Sequence, residues 1–386
     1  MVIMPENEII EEFEFHEDWA KEQFKNMESD IALTLLQSTI AKSNNLRTFL
    51  IDRWKVADEL AKALIDKGII KVADVNQNII ELYKNALAIG VDSSRQLPYR
   101  ILNTYYCPIT SAIAFFNGIN SKMVIDSEAP CKLFEETNLA PEEAIRRVRE
   151  EMYRCEVSAI TRVCSSTLFK DAVGKKEILV MIDGPIIDPP NEKLYDGYIQ
   201  ERVNALLACK EGGALVIGCV KSLEGYHFLN FLKSQKDLQE LAIVAEGFGQ
   251  DPQLIPFLFS TLYSKGPMLE TIPIKRIEPK ELIKEYKKFG IEEIYRIYLT
   301  IYGRGTILGV EYFAQEKEAA EMGTKICSAI RAWGMPGMKI PLPVLAAHRR
   351  CNIKRGSAEY LYRELVTRAL SCEEGANIFG VFSKGV

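Results

Sequence analysis

Residues 178 to 190 read ILVMIDGPIIDPP, a run of apolar and β-branched residues that delivers one carboxylate, Asp183, into a Gly-Pro turn. No other stretch constrains the fold as strongly, because a buried strand ending in an acid is a common way to hold a metal. An Asp-Gly pair after a strand is also ordinary turn chemistry. The pattern gains weight from a second occurrence upstream, where LAIGVDSSR sets Asp92 at the end of another short apolar run with two hydroxyl residues behind it. Two strand-end acids in one chain point to a shared site.

The bounds agree with a large enzyme-sized fold. With 386 residues and 47% hydrophobic content the chain can bury a substantial core, in two or three domains or one elaborated one. A net charge of −5 means that nucleic-acid binding must rest on local basic patches and metal rather than on a globally positive surface. Nine cysteines include no CxxC pair, and several sit in apolar runs such as VIGCV, so reduced, intracellular thiols are expected. The acidic N-terminus lacks the basic flank and apolar core of a signal peptide, and nowhere do about eighteen apolar residues run together. A soluble, cytoplasmic protein with no membrane association is the expectation.

Along the chain, residues 16 to 85 read as helices, with Trp19, Phe24, Ile31, Leu35 and Ile40, then Phe49, Trp54, Val56, Leu60 and Leu64, at roughly helical spacing. From residue 87 the period changes, and LAIGVD, PYRILNTYY, ITSAIAFFN and KMVID form four short β-rich runs whose brief gaps favour antiparallel neighbours. Pro141 and the acids after it open a long amphipathic helix. The strand to Asp183, a helix from about Tyr195 to Glu211, the strand ALVIGCVK and a further helix around GYHFLNFLK follow. Meandering strands and then helix, strand, helix, strand is the order of a ribonuclease-H-like α/β fold, a mixed sheet flanked by helices. Five prolines chop residues 237 to 290 into an expected insertion or lid, after which β character returns in IYRIYLTIY and TILGVEYF, ahead of a closing helix from about Ala358 to Leu370. The expected division is an N-terminal helical region over 1–85 and a catalytic domain over 86–386 that carries the insertion.

In that topology the first strand and the strand after the first helix are neighbours, so Asp92 and Asp183 emerge together. The intervening helix supplies a third acid, with Glu150, Glu151 and Glu156 as candidates. Glu156 flanks the inward stripe of Val148, Met152, Cys155 and Ala159 and is preferred over Glu151. Clustered carboxylates repel one another unless a divalent cation neutralises them, and hard oxygen ligands without paired cysteines favour Mg²⁺ or Mn²⁺ over structural Zn²⁺. Lys221, ending ALVIGCVK, could reach a phosphate or be a solvated lysine. His348, at the apolar-to-basic transition of LPVLAAHRRCNIK, could ligate metal, contact phosphate or shuttle a proton, approached in extended form through Pro341 and Pro343; a lone histidine is more often structural. Arg349, Arg350, Lys354 and Arg355 make the next segment basic enough to contact a phosphate backbone, or form a solvated helix face.

GVDSSR, the helix carrying Glu156, IDGPIIDPP, GCVK and PLPVLAAHRR, taken in this order, resemble the NurA nuclease family over roughly residues 86 to 356. The resemblance implies a ribonuclease-H-like core, a divalent-metal site that typically holds Mn²⁺, and 5′-to-3′ exonuclease plus single-strand endonuclease action on DNA. It further implies a homodimer that docks on a hexameric HerA-type ATPase and processes DNA ends for repair. Position by position, the family's first acid falls on Asp92, its helix acid on Glu156, its second strand acid on Asp183 and its late histidine on His348. The sequence departs from the family in having Ser93 where a glycine usually follows the first acid, and in a longer stretch between Glu156 and Asp183. The rival readings are a noncatalytic nucleic-acid-binding or scaffold subunit of the same fold, and a ribonuclease-H-like enzyme acting on RNA or on junctions.

Overall fold

The computed structural model describes residues 29–73, 76–126, 128–189, 194–263, 268–301, 307–335 and 338–371. Trp19, Phe24 and the final IFGVFSKGV lie outside them. Among the described residues twelve strands join one mixed sheet. They are β1 (Ile70–Val72), β2 (Leu87–Arg95), β3 (Tyr99–Ile101), β4 (Thr104–Asn117), β5 (Val124–Ile125), β6 (Cys131–Thr137), β7 (Ile178–Asp183), β8 (Ala214–Val220), β9 (Leu269–Thr271), β10 (Ile274–Lys275), β11 (Ile294–Thr300) and β12 (Ile307–Phe313).

The centre of the sheet has the spatial order β6, β4, β2, β7, β8, with β2, β7 and β8 parallel and the first three strands antiparallel. This is the ribonuclease-H-like arrangement. Helix Pro141–Ser165 makes the crossover from the meander to β7, and helix Tyr198–Glu211 the crossover from β7 to β8. Both crossover helices cover one face, where Ile89, Val91, Val180 and Ile182 meet Val157, Ile160 and Val203. On the other face Ala88, Leu179, Met181 and Ile217 meet Trp333, Val344 and Ala347. Helices on both sides explain why the β7 run is continuously apolar rather than alternating.

The meander differs in detail from the four runs read in the sequence. Thr104–Asn117 is one long strand that joins parts of two of them, entered through a turn where Leu102 adopts φ 55°. β6 lies outside those runs, since its apolar residues do not alternate and it is mostly exposed with only Phe134 buried.

A third core forms where the helix Ser29–Asp66 lays Ala57, Leu60, Ala61 and Leu64 against Leu254, Ile255 and Leu258 of the helix Asp251–Tyr263. The N-terminal helix and the proline-rich segment therefore pack on each other, and β1 and β9 extend the main sheet beside them. Pro256 is carried inside its helix, which the apolar packing around it sustains. Phe49, Trp54 and Val56, from the same helical spacing, are exposed. No described helix is long and apolar enough to cross a membrane.

Candidate metal centre

The site stands at the carboxyl ends of β2 and β7. Val91 pairs with Ile182 in parallel register, so the next residue on each strand, Asp92 and Asp183, leaves the sheet beside the other. Asp183 in turn pairs with Cys219 of β8, and Lys221, just past that strand, brings Nζ to 2.5 Å from Asp183 Oδ2. The turn after Asp183 folds across β8 so closely that a Cβ on Gly218 would lie 2.7 Å from the Gly184 carbonyl oxygen.

His348 arrives from the opposite end of the chain. Helix Leu342–Cys351 crosses β2 at Gly90, where a Cβ would lie 2.0 Å from the Pro343 carbonyl oxygen. Val344, Ala347 and Cys351 face the core, and His348, beside Ala347, turns to the strand ends. Its Nδ1 is 2.7 Å from Asp92 Oδ2 and 3.3 Å from Asp183 Oδ2. The extended approach expected from the two prolines holds for Pro341, at φ −57° and ψ 148°, but Pro343 belongs to the first helical turn. A proline there loses no hydrogen bond, since the first N–H groups of a helix have no intrahelical partner.

Asp92, Asp183 and His348 each offer a ligand atom, and these atoms lie within 4.8 Å of one another. Burial, followed by the charges of Asp183 and Glu156, pushes the Asp92 carboxyl up to about 8. Two carboxylates crowded this way and kept from water favour either a shared proton or a cation.

Glu156 stands one layer behind. Only 2% exposed, its carboxylate accepts a hydrogen bond from the Arg202 guanidinium at 2.8 Å and another from the Ser93 hydroxyl at 2.8 Å. The Ser93 backbone N–H donates to Asp92 Oδ1 at 2.8 Å, so Ser93 links the helix acid to the strand acid. Glu151 points elsewhere and pairs with Lys132 at 2.8 Å, while Glu150 pairs with Arg146 and Arg147. Of the helix acids, Glu156 is the one beside the site.

Three participants were not singled out in the sequence. Cys351, three residues past His348 and therefore on the same helix face, donates its thiol to Asp92 Oδ2 at 3.3 Å. Arg202, fully buried, also donates to the Pro185 and Ile186 carbonyls at 3.0 Å, so it ties the Glu156 helix to the turn that follows Asp183. Asp188, the second acid of IDGPIIDPP, accepts from the Tyr153 hydroxyl at 3.0 Å, and burial together with Glu156 pushes its carboxyl up to about 7.

A cleft of about 1030 Å³ opens from Asp183 and Lys221 past Tyr226 toward Arg276 and Lys280. Arg276 and Arg296, which line it, both donate at 2.6 Å to the fully buried Glu311 of β12 behind them. Burial alone would raise that carboxyl, but the two guanidinium groups hold it at about 2. Arg349, Arg350, Lys354 and Arg355 are exposed, and Arg355 pairs with Glu359.

The NurA domain model matches residues 87–353, well over half of the chain. The chain belongs to the NurA family. NurA proteins are metal-dependent nucleases, and the matched span holds Asp92, Glu156, Asp183 and Lys221 together with His348. The crystal structure of the NurA nuclease from Sulfolobus solfataricus superposes with a TM-score of 0.58 at 12% identity, over 89% of this chain and 97% of that one. A structure of NurA with manganese matches with a TM-score of 0.47 at 10% identity, over 85% and 98% of the two chains. Endonuclease V from Ciona intestinalis, in complex with DNA, matches with a TM-score of 0.34 at 13% identity, over 81% and 98%. No curated protein matches the sequence at a significant level.

Proposed function

We propose that this NurA-family chain is a Mn²⁺- or Mg²⁺-dependent DNA nuclease, with 5′-to-3′ exonuclease and single-strand endonuclease activity in DNA end processing. The observation that carries the reading is the convergence of Asp92, Asp183 and His348 at the ends of two parallel strands. The donor set fits a hard divalent ion, since two carboxylates and an imidazole are oxygen and nitrogen ligands, and burial, with the charges of Asp183 and Glu156 added to it, disfavours a bare carboxylate on Asp92. When bound, such an ion polarises a phosphoryl oxygen and supplies a nucleophile at neutral pH.

The protein's own groups divide the remaining work. Asp92 and Asp183 would bind the cation, and Ser93, Glu156 and Arg202 hold Asp92 and the turn after Asp183 in place through hydrogen bonds that are buried or partly buried. Lys221 keeps an ammonium at the mouth of the cleft, where it can meet a phosphate next to the acids. His348 is 38% exposed at its side chain, so its ring is open to substrate on one side while Asp92 orients it from the other, an arrangement suited to ligation or proton transfer. Arg349, Arg350 and Lys354 extend from this edge as cations for the DNA backbone.

A homodimer docked on a HerA-type hexameric ATPase is part of the proposal. It draws support from family membership and from Leu46, Phe49, Leu50 and Trp54, apolar residues that the N-terminal helix leaves 43% to 56% exposed at helical spacing. Incubation of the protein with end-labelled single- and double-stranded DNA, with and without Mn²⁺, tests the activity. Metal-dependent shortening from the 5′ end supports it, and inert DNA with RNA cleaved instead rejects it. Light scattering and co-purification with a co-expressed HerA-type ATPase test the assembly.

A further inference from the structure

The helices that carry Glu156 and Arg202 meet a second time. Two turns past the ion pair, Cys164 on helix Pro141–Ser165 and Cys209 on helix Tyr198–Glu211 bring their sulfurs to 3.3 Å. The spacing is eight residues from Glu156 to Cys164 and seven from Arg202 to Cys209, so the two helices run parallel and in step. At about 1.5 Å of rise per residue, the sulfurs sit roughly 10 to 12 Å along the helices from the ion pair, away from the metal centre. The thiols are unequal. Cys164 is partly exposed, whereas Cys209 is fully buried.

We propose that Cys164 and Cys209 form a reversible oxidation site, whose disulfide staples the two helices supporting the metal centre. A disulfide bond of about 2.05 Å is shorter than the present separation of 3.3 Å by little more than 1 Å, a gap of the size that side-chain rotation closes. A hydroperoxide is the oxidant. The exposed Cys164 sulfur attacks the peroxide, the O–O bond breaks, and an alcohol or water leaves with Cys164 as a sulfenic acid. The Cys209 sulfur then attacks the Cys164 sulfur; the S–S bond forms, the S–O bond breaks, and the departing oxygen takes the Cys209 proton as water. Two thiols and one peroxide thus become one disulfide, one alcohol or water, and one water. Cys164 is the sulfur a peroxide can reach and Cys209 is enclosed behind it, which assigns Cys164 as the attacking sulfur and Cys209 as the resolving one.

The link closes a loop between positions 45 residues apart, so it restrains the unfolded chain without touching Asp92, Asp183 or His348. Oxidised protein therefore melts a few degrees higher than reduced protein and keeps its secondary structure. The test is hydrogen peroxide treatment of the full chain, digestion without reductant, and mass spectrometry. The expected product is one peptide pair joining Cys164 to Cys209, lighter by two hydrogens and separated again by dithiothreitol. In Cys209→Ala, Cys164 should instead be trapped by dimedone as sulfenic acid. Cys131, which is exposed, serves as the internal control for peroxide exposure. Oxidation of Cys131 with Cys164 and Cys209 still free to alkylate overturns the proposal, as does a linked protein that melts lower than the reduced one. Both readouts are independent of nuclease activity.

Discussion

Gly90→Ala probes the contact that brings the two ends of the chain together. The added Cβ would lie 2.0 Å from the Pro343 carbonyl oxygen and 2.2 Å from its carbon, both backbone atoms of the helix that carries His348, whereas ordinary contact begins at 3.4 Å. The helix must retreat by about 1.4 Å or β2 must bend, because no flexible side chain is available to give way. Replacing a strand glycine by alanine normally gains about 0.5 to 1 kcal/mol of backbone entropy, but overpacking of this kind costs about 1 to 3 kcal/mol, so a net loss of stability is expected. The retreat also draws His348 Nδ1 away from Asp92 and Asp183, and a displacement near 1 Å can cost on the order of 10² in rate. Urea unfolding gives the stability change, and single-turnover cleavage of end-labelled DNA with Mn²⁺, normalised to folded protein, gives the rate. Wild-type stability together with a wild-type rate would refute the idea that close helix-to-strand contact assembles the site.

Other perturbations act on separate parts of the site. His348→Ala should lower the rate by on the order of 10² or more with little change in DNA affinity or melting temperature, and a large fall in melting temperature with normal activity per folded molecule would assign the histidine to the fold. Arg202→Met leaves Glu156 buried without its cation and should cost about 3 to 5 kcal/mol in denaturant unfolding, with part restored by adding Glu156→Gln; a loss below about 1 kcal/mol would contradict the buried pair. The Asp92 and Asp188 carboxyls, at about 8 and about 7, lie above their unfolded value near 3.9, so the stability they contribute is complete below about pH 4 and is lost as the pH rises through 7 to 8. Metal-free protein should therefore lose melting temperature on their account over that range. Stabilisation by Mn²⁺ should grow over the same range, because the ion replaces the Asp92 proton; a metal-induced shift that falls with pH would count against Asp92 as a ligand.

Much of the site was legible because strand chemistry is local. Asp92 and Asp183 each end an apolar run, and a helix between two such strands implies parallel neighbours, so their meeting follows from chain order alone. Glu156 over Glu151 was readable from the apolar stripe it flanks. The rest depends on contacts between distant positions. Nothing local marks Arg202 as the partner of an acid 46 residues earlier, and Gly90 gives no sign that Pro343 will lie on it. Pro341 and Pro343 suggested an extended path because proline breaks helix interiors, yet a first-turn proline is free of that penalty. The packing of Leu60 and Leu64 against the proline-rich segment was hidden for the same reason, since spacing identifies an apolar face but not what covers it.

The most direct test is calorimetric titration of Mn²⁺ into wild-type protein and Asp183→Asn, paired with cleavage of end-labelled single-stranded DNA by the same samples. Wild type should bind the ion and cut, whereas Asp183→Asn, with an unchanged circular dichroism spectrum, should bind it at least tenfold more weakly and leave the DNA intact. Full Mn²⁺ affinity and full cleavage in the Asp183→Asn protein would contradict a metal centre built on the paired strand ends.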